Sequence, residues 1–233
     1  MKARVDPALT VLAEAAQLQP AAFSTSFGAE DMVLLDLICR HGLPVSIFTL
    51  DTGRLPEETY RLMQKVDERY GRCVSVYFPD AQAVHRLVAA DGTNGFYESV
   101  EKRKACCAVR KTEPLGRALA GKRAWITGLR AAQSVTRARL APREHDATYG
   151  IEKFNPLHDW AEAEVWTYIR AEGVPYNELH DRFYPSIGCA PCTRAVTAGE
   201  DIRAGRWWWE RPESKECGLH ERRPNVVEIK EHA

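Results

Sequence analysis

The chain has 233 residues, a formal net charge of zero and the composition of an ordinary globular protein. This length accommodates one sizeable domain with an appended segment. The charge balance argues against a nucleic-acid partner, because a general nucleic-acid binder would be strongly basic. The sequence has no apolar run of membrane-spanning length and no apolar signal-peptide core. We therefore expect a cytoplasmic protein with no membrane partner.

Strand and helix patterns alternate through the first half of the chain. The predicted elements are, in order, a helix over 7–19, a strand over 21–27, a helix from Met32 to Cys39, a strand from Leu43 to Leu50, a helix from Pro56 to about Arg69, a strand from Val74 to Phe78 and a short helix over 80–89. This alternation is typical of an α/β fold in which a parallel sheet carries helices on both faces.

From residue 91 onward the pattern is less regular. We predict a loop and helix start over 91–104, a helix over 109–120, a strand from Ala124 to Thr127, a mobile arginine-rich loop over 131–147 that covers a site, and a helix from about Ala161 to Arg170. Beyond Pro175 regular structure thins out. The simplest organisation is one α/β domain over 1–210 followed by a mobile C-terminal tail over 211–233.

Three predicted strands end in polar, glycine-containing turns. These turns are Ser24-Thr25-Ser26-Phe27-Gly28-Ala29-Glu30-Asp31, Leu50-Asp51-Thr52-Gly53-Arg54 and Gly128-Leu129-Arg130. Ligands of open α/β sheets bind at the carboxyl ends of strands, and a helix N-terminus there attracts anions. Each turn alone is equally compatible with a plain polar loop, and none is a Walker loop or a GxGxxG motif. The three together favour a nucleotide crevice.

Four of the seven cysteines have the spacing of metal ligands. Cys106 and Cys107 are adjacent, whereas Cys189 and Cys192 form a CxxC motif. Four thiolates bind either tetrahedral zinc or an iron–sulfur cluster, and cytosolic cysteines rarely form disulfides. An adjacent pair is unusual for zinc. Cys39 and Cys73 stand in apolar or strand-like settings and are assigned to the core.

A further cysteine, Cys217, stands in the polar tail segment Glu216-Cys217-Gly218-Leu219-His220. Arg222 and Arg223 follow it, and nearby cations lower a thiol pKa. A lone tail cysteine is more often inert than catalytic, so its role depends on what the rest of the chain offers it. Basic residues that together suit a doubly charged group are Lys111, Arg137, Arg203 and Arg206.

In combination, these motifs resemble the assimilatory adenylyl-sulfate/phosphoadenylyl-sulfate reductases, over nearly the whole chain. The resemblance implies the Rossmann-like parallel sheet of the adenine-nucleotide α-hydrolase-like fold, with a flexible C-terminal tail. The related ATP pyrophosphatases carry a Ser-Gly-Gly-x-Asp-Ser loop. This chain departs from that loop at Phe27, Glu30 and Asp31, which argues against ATP cleavage.

Within this family, the tandem pair plus CxxC resembles the branch that binds a [4Fe–4S] cluster and prefers adenosine 5′-phosphosulfate (APS). The same reaction on 3′-phosphoadenosine 5′-phosphosulfate (PAPS) stays open. The resemblance implies reduction of the sulfonucleotide to sulfite and AMP in sulfate assimilation and cysteine biosynthesis. Because no redoxin-like domain follows Cys217, it also implies a separate thioredoxin as reductant. A homo-oligomer is compatible with the sequence.

The resemblance also assigns roles to residues. Cys217 is the implied nucleophile, which forms an S-sulfocysteine, and His220 either assists it or caps the tail. The implied cluster ligands are Cys106, Cys107, Cys189 and Cys192. The implied substrate-binding residues are Ser24, Ser26, Asp51, Thr52, Gly53, Arg54, Lys111, Arg137, Arg203 and Arg206.

Two other functions compete with this one. An ATP-dependent tRNA thiolase of the same fold would need the pyrophosphatase loop and, in most cases, a basic surface. A zinc-ribbon module that binds a partner would explain the four cysteines, but it would leave Cys217 and the strand-end turns without a role. A brown colour would indicate iron and sulfur, whereas a zinc protein is colourless.

Overall fold

A computed structural model describes residues 1–133 and 140–211. In this part of the chain the helices are α1 Lys2–Gln17, α2 Ala29–Arg40, α3 Glu57–Tyr70, α4 Ala81–Asp91, α5 Val100–Cys107, α6 Glu113–Leu119 and α7 Glu162–Glu172. The strands are β1 Ala21–Thr25, β2 Val45–Leu50, β3 Val74–Tyr77, β4 Ala124–Ile126, β5 Arg143–Asp146 and β6 Ile151–Phe154. The predicted α/β class is therefore confirmed.

The strands form one sheet in the order β3-β2-β1-β4-β6-β5. All neighbouring pairs are parallel except β5 and β6, which are antiparallel. From β1 the chain first adds strands on one side, β2 and then β3, and afterwards crosses to the other side of β1 with β4. The strand order thus reverses between β1 and β4, and such a switch point opens a crevice at the carboxyl ends of the two strands.

Apolar side chains cover both faces of the sheet. Along β1, Ala21 and Phe23 point to one face and Ala22 to the other, as the two-residue period of a strand requires. Phe23 belongs to the larger cluster, which includes residues of α1, α2, α3 and α7. Ala22 belongs to the smaller one, which α6 covers with Leu115 and its neighbours. The sheet is buried on both sides, which explains its near-continuous apolar strands.

The structure corrects several predicted boundaries. Residues 143–146 form a strand, although 131–147 was predicted to be a loop, and the strand over 151–154 was not predicted. The first helix begins at Lys2 rather than at residue 7, and α5 occupies part of a predicted loop. Positions 134–139 of the predicted loop, and the tail from 212 onward, lie outside the described residues. Their predicted mobility stays a prediction.

Among the residues that the structure describes, no helix combines the length and the apolar character needed to cross a membrane.

Candidate active site

A cavity of about 310 Å³ opens at the switch point of the sheet. Its floor includes Ser24 and Ser26 from the end of β1 and Thr127 and Gly128 from the end of β4. The Ser24 hydroxyl accepts a hydrogen bond of 2.8 Å from the indole N–H of Trp125. The cavity lies where the fold predicts a ligand site, and its volume is suited to a small molecule such as a nucleotide.

The turn after β1 is filled by a carboxylate of the chain itself. Asp31 accepts hydrogen bonds from the Ser26 backbone N–H, at 2.6 Å, and from the Ser26 hydroxyl, at 2.7 Å. Burial raises the pKa of Asp31 to about 6. Phe27 has φ of 59°, in the left-handed region that favours glycine, at a position where the pyrophosphatase loop carries glycine. The turn therefore differs from an open phosphate-binding loop in charge, because the Asp31 carboxylate occupies it.

A second acidic group, Glu30, lies beside this turn. Its carboxylate accepts from the guanidinium of Arg130, with Nε at 2.8 Å and Nη2 at 2.7 Å, and from the amide of Gln133, at 3.0 Å. Arg130 is almost fully buried, and its charge is compensated by Glu30. This side of the cavity thus presents no uncompensated cation from Arg130 to a ligand.

The opposite side of the cavity is basic. Lys111, Arg203 and Arg206 line it together with Trp207. The Arg206 guanidinium lies against the backbone of Gly188, where any side chain would collide with it, and its Cζ is 4.7 Å from the centre of the Trp207 ring. Preorganised cations of this kind suit a phosphate or sulfate group.

A second, small cavity of about 20 Å³ is lined by all four cysteines predicted to be metal ligands. Cys106 and Cys107 end helix α5, and a π-helical turn, Ala108–Thr112, follows them directly. This wide turn carries Lys111, which lines both cavities, as do Cys189 and Trp207. These three residues form a shared wall between the two cavities.

The CxxC segment is held in place by several backbone contacts. The N–H of Ala190 donates to the carbonyl of Arg54, at 2.8 Å, and the hydroxyl of Tyr97 donates to the carbonyl of Pro191, at 2.6 Å. The Thr52 hydroxyl lies 3.2 Å from the Cys189 sulfur. The turn after β2 is thereby connected to the cysteines, although the two segments are far apart in sequence.

Burial and nearby cations act in opposite directions on the pKa of the thiols around the small cavity. Burial raises the pKa of the Cys106 thiol and raises that of Cys192 to about 12, while Lys111 and Arg206 act in the opposite direction on Cys192. Thiols in such a setting ionise when a metal binds them. The Nε–H of Arg110, which also lines the small cavity, is buried and has no hydrogen-bond partner among the described residues. A sulfur-rich anion would offer it an acceptor.

The geometry also bears on the kind of metal group. Within residues 1–133 and 140–211, no group of three or more His, Cys, Asp or Glu side chains is arranged to hold a single metal ion. Four thiolates on one zinc would each lie about 2.3 Å from it. In a polynuclear cluster each thiolate binds a different iron, so the sulfurs stand further apart. Four thiols around one cavity are the donor set of either a zinc ion or an iron–sulfur cluster.

The predicted site residues fall into four groups. Those that line the large cavity are Ser24, Ser26, Thr52, Lys111, Arg203 and Arg206, and those that line the small one are Arg54 and Lys111 with the four cysteines. Asp51 and Gly53 line neither, because the Asp51 carboxylate accepts from the Gly53 N–H, at 2.8 Å, and from Tyr60. Arg137, Cys217 and His220 lie outside the described residues.

Sequence reasoning gave no site role to three residues around the small cavity: Arg103, Arg110 and Trp207. Arg110 donates to the Thr52 carbonyl, at 2.7 Å. Arg103 precedes Cys107 by four residues on α5, which is the helical spacing that places two side chains on one face. That spacing was the only signal in the sequence that could have pointed to Arg103.

The fold and the two cavities define an α/β protein that combines an anion-binding nucleotide crevice with a cysteine centre. The sequence profile of the phosphoadenosine phosphosulfate reductase domain matches residues 20–195. The chain belongs to this family.

Individual relatives extend this result. The chain is 62% identical over 206 residues to an adenosine 5′-phosphosulfate reductase of Allochromatium vinosum, covering 88% of this chain and 80% of the relative. It is 57% identical over 198 residues to one of Burkholderia cepacia, covering 85% and 79%. A crystal structure of phosphoadenylyl-sulfate reductase from Candida auris, a phosphate complex, is similar with a TM-score of 0.69 and 32% identity, over 82% of this chain and 90% of that one.

Proposed function

We propose that the protein reduces adenosine 5′-phosphosulfate to sulfite and AMP, with thioredoxin as the reductant. The observation that carries this proposal is the shared wall: a nucleotide-sized cavity and a cavity lined by four cysteines meet at Lys111, Cys189 and Trp207. The relatives named adenosine 5′-phosphosulfate reductase support the same reaction. We place it in the cytoplasm, where thiols stay reduced.

Cys106, Cys107, Cys189 and Cys192 would hold a [4Fe–4S] cluster. The fit rests on the donor set around one cavity and on the buried Arg110 N–H that lacks a partner there. When bound, the cluster supplies a fixed charge distribution near the sulfate rather than electrons, because the thiols supply both electrons of the reduction.

The charges of the large cavity favour one orientation of the substrate. The phosphosulfate carries the negative charge, and it would lie on the basic side with Lys111, Arg203 and Arg206. The acidic side, with Glu30 and Asp31, would then receive uncharged parts of the nucleotide. An additional phosphate there would find the Arg130 charge already compensated by Glu30 and would be repelled by the ionised Asp31 carboxylate, which supports APS rather than PAPS as the substrate.

The chemistry proceeds in two thiol steps. The Cys217 thiolate attacks the sulfate sulfur, a sulfur–sulfur bond forms, and the bond from sulfur to the bridging oxygen breaks as AMP leaves with its electron pair. A thioredoxin thiolate then attacks the Cys217 sulfur and releases sulfite with the electron pair of the sulfur–sulfur bond. The second thioredoxin thiol resolves the mixed disulfide, so that one dithiol is oxidised for each sulfite formed.

Lys111 would neutralise the sulfate while the thiolate approaches, since two anions otherwise repel each other. Replacing Lys111→Ala is expected to slow S-sulfocysteine formation by about 100-fold with unchanged iron content, as measured in single turnovers by mass spectrometry. The matched control is Lys102→Ala, because Lys102 is only partly buried on the preceding helix and pairs with Glu98. Single-turnover rates that are equal in all three proteins would refute this role of Lys111.

The function itself is tested by sulfite release. The protein is purified without oxygen, supplied with reduced thioredoxin and given either APS or PAPS. We expect a large preference for APS. Comparable rates would show that the four cysteines indicate a cluster but do not determine whether APS or PAPS is the substrate. No sulfite from either compound, with a loaded cluster, would refute the proposal and favour the tRNA thiolase.

A further inference from the structure

One arginine connects the cysteine centre to the segment from which the C-terminal residues start. The guanidinium of Arg103 makes a two-bond fork with the carboxylate of Glu210: Nε to Oε1 and Nη2 to Oε2 are both 2.8 Å. Arg103 is fully buried, and the Glu210 side chain is 3% exposed. A fork that is removed from solvent fixes both position and orientation of its two partners.

The same guanidinium has two further contacts. It lies close enough to Cys107, four residues later on α5, for its charge to interact with that thiol, and its Cζ lies 4.7 Å from the centre of the Trp207 ring. Arg206 lies at the same distance from that ring. Arg103 thus lies beside a cysteine of the small cavity, and it contacts the wall that both cavities share and the carboxylate of Glu210.

The position of Glu210 in the sequence gives this contact its significance. Cys217 follows Glu210 by seven positions in the sequence. A segment of that length reaches at most about 24 Å when fully extended. Wherever Glu210 is fixed, Cys217 is confined to a limited volume around it, and this raises the concentration of the thiol near the basic side of the large cavity.

We propose that Arg103 and Glu210 are positioning residues, which anchor the start of the C-terminal segment at the cysteine centre so that Cys217 reaches the sulfate. The inference rests on the proposed role of Cys217. Neither residue touches the substrate in this account; they act by fixing where the segment leaves the fold. Loss of the fork is therefore expected to change the transfer step rather than nucleotide affinity.

The test uses Glu210→Gln in the cluster-loaded enzyme. We expect APS affinity within about twofold of wild type, whereas S-sulfocysteine formation at saturating APS falls about tenfold or more, since misplaced reacting groups lose rate steeply. Hydrogen exchange should become faster in the peptide that covers residues 203–211. Arg103→Lys should not restore the wild-type rate, because an ammonium cannot form the fork.

A matched control comes from a second fork of the same geometry. Arg4 binds Glu164 through Nε to Oε1, at 2.7 Å, and Nη2 to Oε2, at 2.9 Å, and it connects α1 to α7. Glu164→Gln removes one charge from that fork and should leave transfer to Cys217 unchanged. The Arg4–Glu164 fork is partly exposed, so Glu164→Gln controls for the loss of one fork charge, and thermal unfolding of Glu210→Gln measures how much stability the buried fork contributes. A positioning effect appears as slow transfer in Glu210→Gln at a temperature where that variant is still folded.

The test also needs a variant that stays folded, so that slow transfer is not confused with loss of the folded structure. Breaking a buried pair leaves an unpaired charge, whereas replacing both members by apolar residues does not. The double variant Arg103→Met with Glu210→Leu should fold and load iron but still transfer sulfur slowly. Wild-type transfer in the double variant, or in Glu210→Gln, would overturn the inference. Absence of S-sulfocysteine in the wild type would instead refute the proposed function.

Discussion

The two cavities that meet at Lys111, Cys189 and Trp207 are built in different ways. The large one lies at a reversal of strand order, and the ends of β1 and β4 form its floor. The small one is assembled from the end of a helix, a π-helical turn and an irregular CxxC segment. Backbone topology creates the first, whereas individual side chains and their hydrogen bonds hold the second together.

This difference predicts different sensitivities. A crevice formed by a sheet persists when one lining side chain changes, because the strands are fixed by the core beneath them. A centre formed by separate segments depends on each ligand and on each contact between the segments. Substitutions in one cavity should therefore leave the other largely unaffected, and the largest losses of activity are expected at the cysteines.

The largest effect is expected for Cys192→Ser. Loss of this ligand should remove most of the iron and lower sulfite formation to below about one hundredth, since even outer contacts of metal ligands are worth 10- to 100-fold. Affinity for AMP should stay within a factor of about three, because Cys192 does not line the large cavity. Iron analysis and calorimetry of AMP binding measure the two quantities.

The control for this variant is Cys73→Ser. Cys73 packs partly buried against the core, next to Cys39, and lies in neither cavity. It should keep full iron and full activity. Full iron in Cys192→Ser, or equal losses in both variants, would show that the four cysteines are not the ligands of one centre.

The parts of the molecule that the sequence predicts also differ between the sheet and the segments around it. Buried strands such as β1 and β2 are apolar runs with clear ends, so the parallel sheet and its strand-end turns were predictable. Strand β5 reads Arg-Glu-His-Asp, and it pairs with β6 at the edge of the sheet through its backbone and through polar side chains, with Arg143 and His145 both contacting Glu152. No apolar signal distinguishes such a strand from a polar loop, which explains why the hairpin with β6 was missed.

For the site, spacing predicted the cysteines that line the small cavity, but not their surroundings. Arg103 and Glu210 are 107 residues apart, and neither stands in a recognisable motif, so only the fold could bring them together. Asp51 illustrates the opposite case. A carboxylate at a strand end is suited to a ribose hydroxyl, but here it accepts hydrogen bonds from its own turn and from Tyr60.

A smaller effect is expected for Gly128→Ala, which tests the floor of the large cavity. An added methyl group would collide with the Asp31 carboxylate, so the turn after β1 must shift. We expect about a tenfold loss of affinity for AMP, about 1.4 kcal/mol, with unchanged iron content. The control is Gly116→Ala, because the space around the added methyl group is open there. This substitution should raise the free energy of unfolding by about 1 kcal/mol, since alanine favours helix α6 more than glycine does. An unchanged AMP affinity in Gly128→Ala would mean that nucleotides do not bind against this turn.

The last prediction concerns stability rather than activity, and it tests how the buried carboxylate of the same turn depends on pH. Burial raises the pKa of Asp31 from its ordinary value of 3.8 to about 6. Between these values the unfolded chain has lost the proton while the folded chain retains it. The free energy of unfolding therefore decreases as the pH rises from about 4 to about 6, and Asp31 contributes up to about 3 kcal/mol to that decrease.

Asp31→Asn removes this contribution, so the stability of the variant relative to wild type should rise over the same pH range. The measurement is the midpoint of thermal unfolding for both proteins between pH 4.5 and pH 7.5. Asp67→Asn, at an exposed position on α3, should give a profile parallel to that of the wild type. A parallel profile for Asp31→Asn as well would show that the carboxylate is not held in the buried turn.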